Sequence, residues 1–170
     1  MLTPVLVGYA TGYGSTKEVA EAVAATLSKC GQEVDIQPMR EVRTLAGYRA
    51  IVLGAPLFMF RWHKDALRFL SRHSDALRER PVAVFALGPV HDPHDEDEWQ
   101  ASWGQLEKEL EKFPWLTPVA IEMFGGKYDP AKLRFPLKMF AGNEPASDIR
   151  DWTAIDTWAT NLAAKLGPEG

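Results

Sequence analysis

Between Val5 and Ala20 the chain changes character twice. An apolar run, Val5 to Ala10, gives way to Thr11-Gly12-Tyr13-Gly14-Ser15-Thr16, and apolar residues at helical spacing follow. That is the pattern of a strand, a loop and a helix. Glycines at 12 and 14 let the backbone approach a ligand closely, and the Ser15 and Thr16 hydroxyls stand beside the unpaired N–H groups and positive dipole end of the helix. Such a place suits a phosphate. A P-loop ends in Gly-Lys followed by Ser or Thr, whereas Lys17 comes after the hydroxyls. A dinucleotide fingerprint needs a third glycine at position 17, which is Lys. What is left is a hydroxyl-rich loop with no cation inside it, suited to a phosphate monoester held by neutral donors. The plain alternative is an ordinary strand-to-helix turn capped by Ser15 or Thr16.

The rest of the chain alternates in the same way. The first helix runs from about Ser15 to Lys29, with Val19, Val23 and Leu27 on one stripe and Gly31 as its stop. Glu33 to Gln37 alternates charged and apolar residues and ends at Pro38, which reads as a short strand nearer an edge. Ala50 to Ala55 is a buried strand running into Pro56-Leu57-Phe58-Met59-Phe60, and a helix follows from about His63 to Arg78. Val82 to Leu87 is the third buried strand, closed by Gly88-Pro89. A helix around Trp99 to Lys112 and a strand from Pro118 to Phe124 come next. A last helix, about Ile149 to Leu166, presents Trp152, Ile155, Ala159, Leu162 and Leu166 as a docking face. The class is therefore α/β with a parallel sheet, and five strands fit the length. For the order 2-1-3-4-5, ligands bind beyond the carboxyl ends of strands 1 and 3, where the loops 11–16, 56–60 and 88–95 converge.

A length of 170 residues sets the expectation of one domain spanning 1–170. The single Cys30 excludes an internal disulfide and a multi-cysteine metal site, and its place beside Gly31 suggests a buried or inert thiol. No signal peptide is visible, and the longest apolar run, Ala50 to Phe60, is too short to span a bilayer, so a soluble, cytoplasmic protein is expected. A net charge of −4 argues against a general nucleic-acid binder. Charge is unevenly spread: Asp92, Asp95, Glu96, Asp97 and Glu98 form an acidic run, while Lys127, Lys132, Arg134 and Lys138 are interleaved with Phe135, Leu137, Met139 and Phe140. His91 and His94 sit in the acidic run, but Pro93 and the dispersed carboxylates read as a solvated, mobile surface, so no metal is assigned. His63 can either start the second helix or stand near the ligand.

The loop Thr11 to Thr16 followed by Ala20 resembles the phosphate loop of flavodoxins. More narrowly, Gly54 to Phe60 with Trp62-His63-Lys64, Leu87-Gly88-Pro89-Val90, Phe124-Gly125-Gly126 and Asp148-Ile149-Arg150-Asp151-Trp152 resemble the branch that contains bacterial menaquinone-dependent protoporphyrinogen dehydrogenases. That resemblance implies a flavodoxin-like three-layer α/β/α fold and FMN as cofactor. It implies that Thr11, Gly12, Tyr13, Gly14, Ser15 and Thr16 hold the FMN phosphate. Leu57, Phe58, Met59 and Phe60 would line one edge and face of the isoalloxazine, and Leu87, Gly88, Pro89 and Val90 would approach its other side. Phe58, Phe60 and Trp62 are the candidate aromatic faces, unless they only cover the sheet.

One departure bears on function. Electron-transfer flavodoxins usually carry a Tyr after the third strand that stacks on the outer flavin face, and Gly88-Pro89-Val90-His91-Asp92 offers none. Trp99 and Trp103 are the nearest aromatics, so a flavin face open to a flat substrate is expected unless one of them covers it. Lys127, Lys132, Arg134 and Lys138 would then pair with the propionates of a porphyrinogen, or lie peripherally on the anionic inner membrane face where quinone dissolves. The reading is an FMN oxidoreductase acting on a small-molecule redox substrate, with a porphyrinogen as donor and a quinone-type acceptor. The alternative is a small FMN electron carrier that docks on redox partner proteins through its acidic run.

Overall fold

The computed structural model describes residues 4–11, 14–59, 61–132, 139 and 145–167. In chain order these form β1 (Val5–Tyr9), α1 (Ser15–Lys29), β2 (Val34–Pro38), β3 (Ala50–Phe58), β4 (Arg61–Trp62), α2 (Lys64–Arg72), α3 (Ser74–Arg78) and β5 (Val82–Leu87). They continue with α4 (Glu96–Glu111), β6 (Ala120–Phe124), the short strands β7 (Lys127–Tyr128) and β8 (Ser147–Asp148), and a closing helix, here α5 (Trp152–Leu166).

The main sheet has the order β2-β1-β3-β5-β6, with every pair parallel. Among its five long strands this is the expected 2-1-3-4-5. Two additions were not legible as strands. β4 turns back antiparallel on the end of β3, pairing Leu57 with Trp62 and Phe58 with Arg61, and β7 pairs antiparallel with β8 as a separate ribbon. Strand β3 thus runs on through Pro56-Leu57-Phe58, because β4 supplies partners beyond the point where β1 ends.

Strand residues alternate between two cores, which gives the three layers. Val5, Val7, Val52 and Phe85 face α1 and α5, meeting Val19, Val23, Leu27, Ile155 and Leu162. Leu6, Ile51, Leu53 and Val84 face the other side with Phe69, Leu70, Leu77 and Leu106. Polar ties lock α1 against α5: Thr26 Oγ1 donates to Asp156 at 2.7 Å, and Gln32 Nε2 donates to the Gly167 carbonyl at 3.0 Å.

Several expectations need correction. The helix expected over 63–78 is two, α2 and α3. His73 turns the chain between them, buried and with its ring centroid 4.5 Å from that of Phe69. Helix α4 begins at Glu96, so Glu96, Asp97 and Glu98 form its first turn and complement its dipole, in place of a loose acidic loop. Helix α5 begins at Trp152, which is exposed and outside the buried stripe of Ile155, Ala159, Leu162 and Leu166. Cys30 is exposed, not buried, because the cap position of α1 falls off the stripe Val19, Val23 and Leu27.

Candidate functional site

The carboxyl ends of β1, β3 and β5 meet the start of α1 at the point where the sheet order reverses. Helices α2, α4 and α5 each have a side chain over the first turn: His63 Nδ1 accepts from Asp65 N, Asp95 from Glu98 N and Asp151 from Ala154 N. Helix α1 has no such cap. Its N-cap is Gly14 at φ 93°, a left-handed conformation that glycine adopts without strain. The only side-chain contact to this turn from the preceding loop is with the cap itself, where Gly14 N–H donates to Thr11 Oγ1 at 2.8 Å among the described residues. Thr16 is fully buried and its Oγ1 has no hydrogen-bond partner among the described residues. A helix start with no side-chain cap beside a buried hydroxyl suits an anion.

Ser15 and Glu18 lead from this turn into a cleft of about 580 Å³. Pro56 to Met59 form one wall and Leu87 to Val90 another, and Gly126 to Asp129 with Lys132 close the rim. Met59 holds φ 50° at the tip of the β3–β4 turn, so Phe58 and Met59 stand 47% and 67% exposed at the mouth. The last wall is one face of α4, where Glu98, Ser102 and Gln105 recur at helical spacing. The cleft therefore combines an apolar slot with a polar stripe, a shape for a flat ring carrying hydrogen-bonding edges.

Two groups set the electrostatics. Burial is the chief cause that pushes the His63 imidazole below its ordinary value, and with Nδ1 accepting from the Asp65 N–H at 3.0 Å the neutral ring keeps its proton on Nε2. Arg150, its side chain 4% exposed, donates from Nε and Nη2 to Asp148 at 2.9 and 2.8 Å and from Nη1 to the Ser15 carbonyl at 3.2 Å. The guanidinium holds the Asp148 carboxyl below the usual carboxylate range, first through these hydrogen bonds.

The structure gathers Ser15, Leu57, Phe58, Met59, Leu87, Gly88, Pro89, Val90, Lys127 and Lys132 on the cleft. Thr11, Gly14 and Thr16 lie at its head, around the start of α1. Gly12, Tyr13, Phe60, Arg134 and Lys138 lie outside the described residues, as do Phe135, Leu137 and Phe140. Trp62 is not a cleft face: it is 1% exposed and its Nε1–H donates to the Ala55 carbonyl at 2.9 Å, inside the core. Trp99 and Trp103 pack against that same core and do not line the cleft.

Sequence reasoning missed Tyr128, Glu18, the α4 stripe and the reach of Arg150. Tyr128 lines the cleft edge-on to His91, with ring centroids 5.1 Å apart, so an aromatic does stand there, supplied by β7. The α4 stripe was legible as a helical period in Glu98, Ser102 and Gln105. No local signal places Tyr128 or Arg150.

A parallel sheet of this order with a cleft at its reversal defines the doubly wound α/β class. The sequence pattern of the flavodoxin domain matches residues 6–140, and the chain belongs to that family. FMN is the cofactor of flavodoxins, in agreement with the expectation from sequence. Similar solved structures include a mutant flavodoxin from Pseudomonas aeruginosa, 18% identical, covering 96% of this chain and 98% of its own at a TM-score of 0.61. A flavodoxin from the domain Archaea is 13% identical with a TM-score of 0.59, covering 96% and 98% of the two chains. Rubredoxin oxygen:oxidoreductase from Desulfovibrio gigas is 15% identical with a TM-score of 0.56, and there 96% of this chain covers 36% of the larger protein. At these identities the structures establish the fold alone. A comparison with curated protein sequences finds no match.

Proposed function

We propose that the chain is an FMN-dependent oxidoreductase that exchanges electrons with a small flat substrate in the cleft beside the sheet. The observation that carries this is the cleft wall contributed by α4: Glu98, Ser102 and Gln105 give polar contacts that an apolar slot for the ring alone does not need. FMN fits the residues present. The uncapped α1 start and the orphaned Thr16 hydroxyl match a phosphate monoester, with Thr11, Gly14 and Ser15 beside them and Gly12 and Tyr13 carried along by sequence. Leu57, Phe58 and Met59 with Leu87 to Val90 would flank the ring and exclude water from it, with Phe60 beside them in sequence.

Bound FMN supplies a two-electron redox centre. His63 holds its Nε2 proton at the cleft wall, and Lys127 and Lys132 at the rim offer cations to carboxylates of an entering substrate. Those cations support a porphyrinogen as the first donor to test. In each turnover the donor loses two electrons and two protons, and a quinone-type acceptor gains both as the quinol. Among the described residues no helix is long and apolar enough to cross a membrane, so contact with a quinone-bearing surface would be peripheral.

A carrier role is favoured by one observation: Asp92, Asp95, Glu96 and Asp97 are all exposed at the edge of the cleft region, an acidic patch fit for a basic redox protein. Anaerobic stepwise reduction of the FMN-loaded protein, followed by visible absorption, separates the two. Passage from oxidised to fully reduced flavin without a one-electron plateau, together with turnover of a porphyrinogen and a quinone, is the result expected of the enzyme. A stable one-electron plateau without such turnover would establish the carrier.

A further inference from the structure

The Arg150 guanidinium is the one charged group in the described structure that touches both the phosphate turn and the ribbon at the cleft rim. Ser15, whose carbonyl it binds, is the first residue of α1, 135 positions earlier in the chain. Asp148, which takes its fork, lies on β8 opposite Lys127 of β7. Glu18, on the next turn of α1 and on the cleft, stands 3.4 Å from Nη1. The outer face of the guanidinium is covered by Trp152, 4.8 Å from the ring centroid. Every side of this cation is thus committed inside the protein.

We propose that Arg150 is a positioning residue that fixes the phosphate turn of α1 from behind and thereby makes the site prefer FMN to riboflavin. The inference rests on the proposed placement of the FMN phosphate at that turn. Two physical effects combine. Holding the Ser15 carbonyl sets the orientation of the first peptide units of α1, whose N–H groups face the opposite way and receive the phosphate. Pairing with Glu18 offsets a carboxylate on the first turns of α1 that would otherwise repel a dianion at the helix start. Arginine suits both because its planar fork holds Asp148 bidentately while leaving Nη1 for the turn. Phosphate therefore meets neutral donors in front and a committed cation behind.

The test is titration of the apo-protein with FMN and, separately, with riboflavin, read by flavin fluorescence, with circular dichroism melting to verify folding. Wild type should bind FMN more tightly than riboflavin; equal binding would overturn the phosphate placement itself, and this inference with it. Given that preference, Arg150→Gln should weaken FMN about tenfold while leaving riboflavin within about twofold, the scale of one lost charge-assisted contact. Arg150→Lys, which keeps charge and loses the fork, should fall between. Adding Glu18→Gln to Arg150→Gln should recover part of the FMN loss, and no recovery would overturn the neutralising role. An unchanged FMN preference in folded Arg150→Gln, or equal losses for both ligands, overturns the proposal. If Arg150→Gln does not fold, Arg150→Lys decides by the same criterion.

Discussion

Gly54 shows how one hydrogen atom can hold a core together. A methyl group there would lie 1.9 Å from Phe85 Cζ, and Phe85 cannot retreat because it packs against Phe124 and Trp158, both with ring centroids within 5.9 Å. Gly54→Ala should therefore destabilise the protein by about 1–3 kcal/mol, the usual cost of overpacking, read as a lower denaturant midpoint. His73 carries a different vulnerability. Burial, then the charge of Arg72, pushes its imidazole below the ordinary value, and its Nε2 has no partner among the described residues. The unfolded chain takes up a proton near a pH of about 6.5 while the folded one refuses it, so stability is full above that pH and falls as pH drops below it. His73→Gln should flatten the decline in stability between about pH 7 and pH 5. It should not abolish it, because His63 is shifted in the same direction.

At the scale of elements, the caps set α4 and α5 apart from α1. Asp95 and Asp151 each accept a backbone N–H in the first turn of α4 and α5, and replacing either by Ala should cost about 0.5–2 kcal/mol in denaturation experiments. Helix α1 has no such side chain to lose, and its stop, stripe and start were all legible from residues 15–31 because they depend on local periodicity alone. The break at His73 was not, since Ala66, Leu70 and Leu77 keep a plausible stripe across it and only the packing of His73 on Phe69 turns the chain. Strand β4 escaped notice for a related reason: two residues carry no period. Trp62 looked like a face for the ligand because Phe58 and Phe60 stand beside it in sequence, yet pairing with Leu57 points it into the core.

For the whole molecule, sheet order and the position of the cleft followed from the alternation of strands and helices, which is a property of the entire chain. The contents of the cleft followed only in part. Residues 56–59 and 87–90 come straight off strand ends, so their place could be read; Tyr128 on the cleft, and Arg150 against the Ser15 carbonyl behind it, arrive through the β7–β8 ribbon, a contact between distant segments that no spacing encodes. Ligand binding should be felt globally. FMN at a hundred times its dissociation constant should add about 2.7 kcal/mol to unfolding, raising the melting temperature by roughly 5–10 °C for a domain of this size. Differential scanning fluorimetry with and without FMN checks this, and an unmoved transition would count against FMN as the ligand.

Cys30 is the sole cysteine of the chain, and it is exposed at the foot of α1, the helix whose head faces the cleft. At a rise of about 1.5 Å per residue the length of α1 separates the thiol from the start of the helix by roughly 20 Å. A maleimide dye or a gold electrode can therefore be attached at one defined point without obstructing the cleft. Immobilised in that orientation, every molecule would present the cleft outward, and any electron exchange there could be read as current with soluble donors or acceptors supplied from solution.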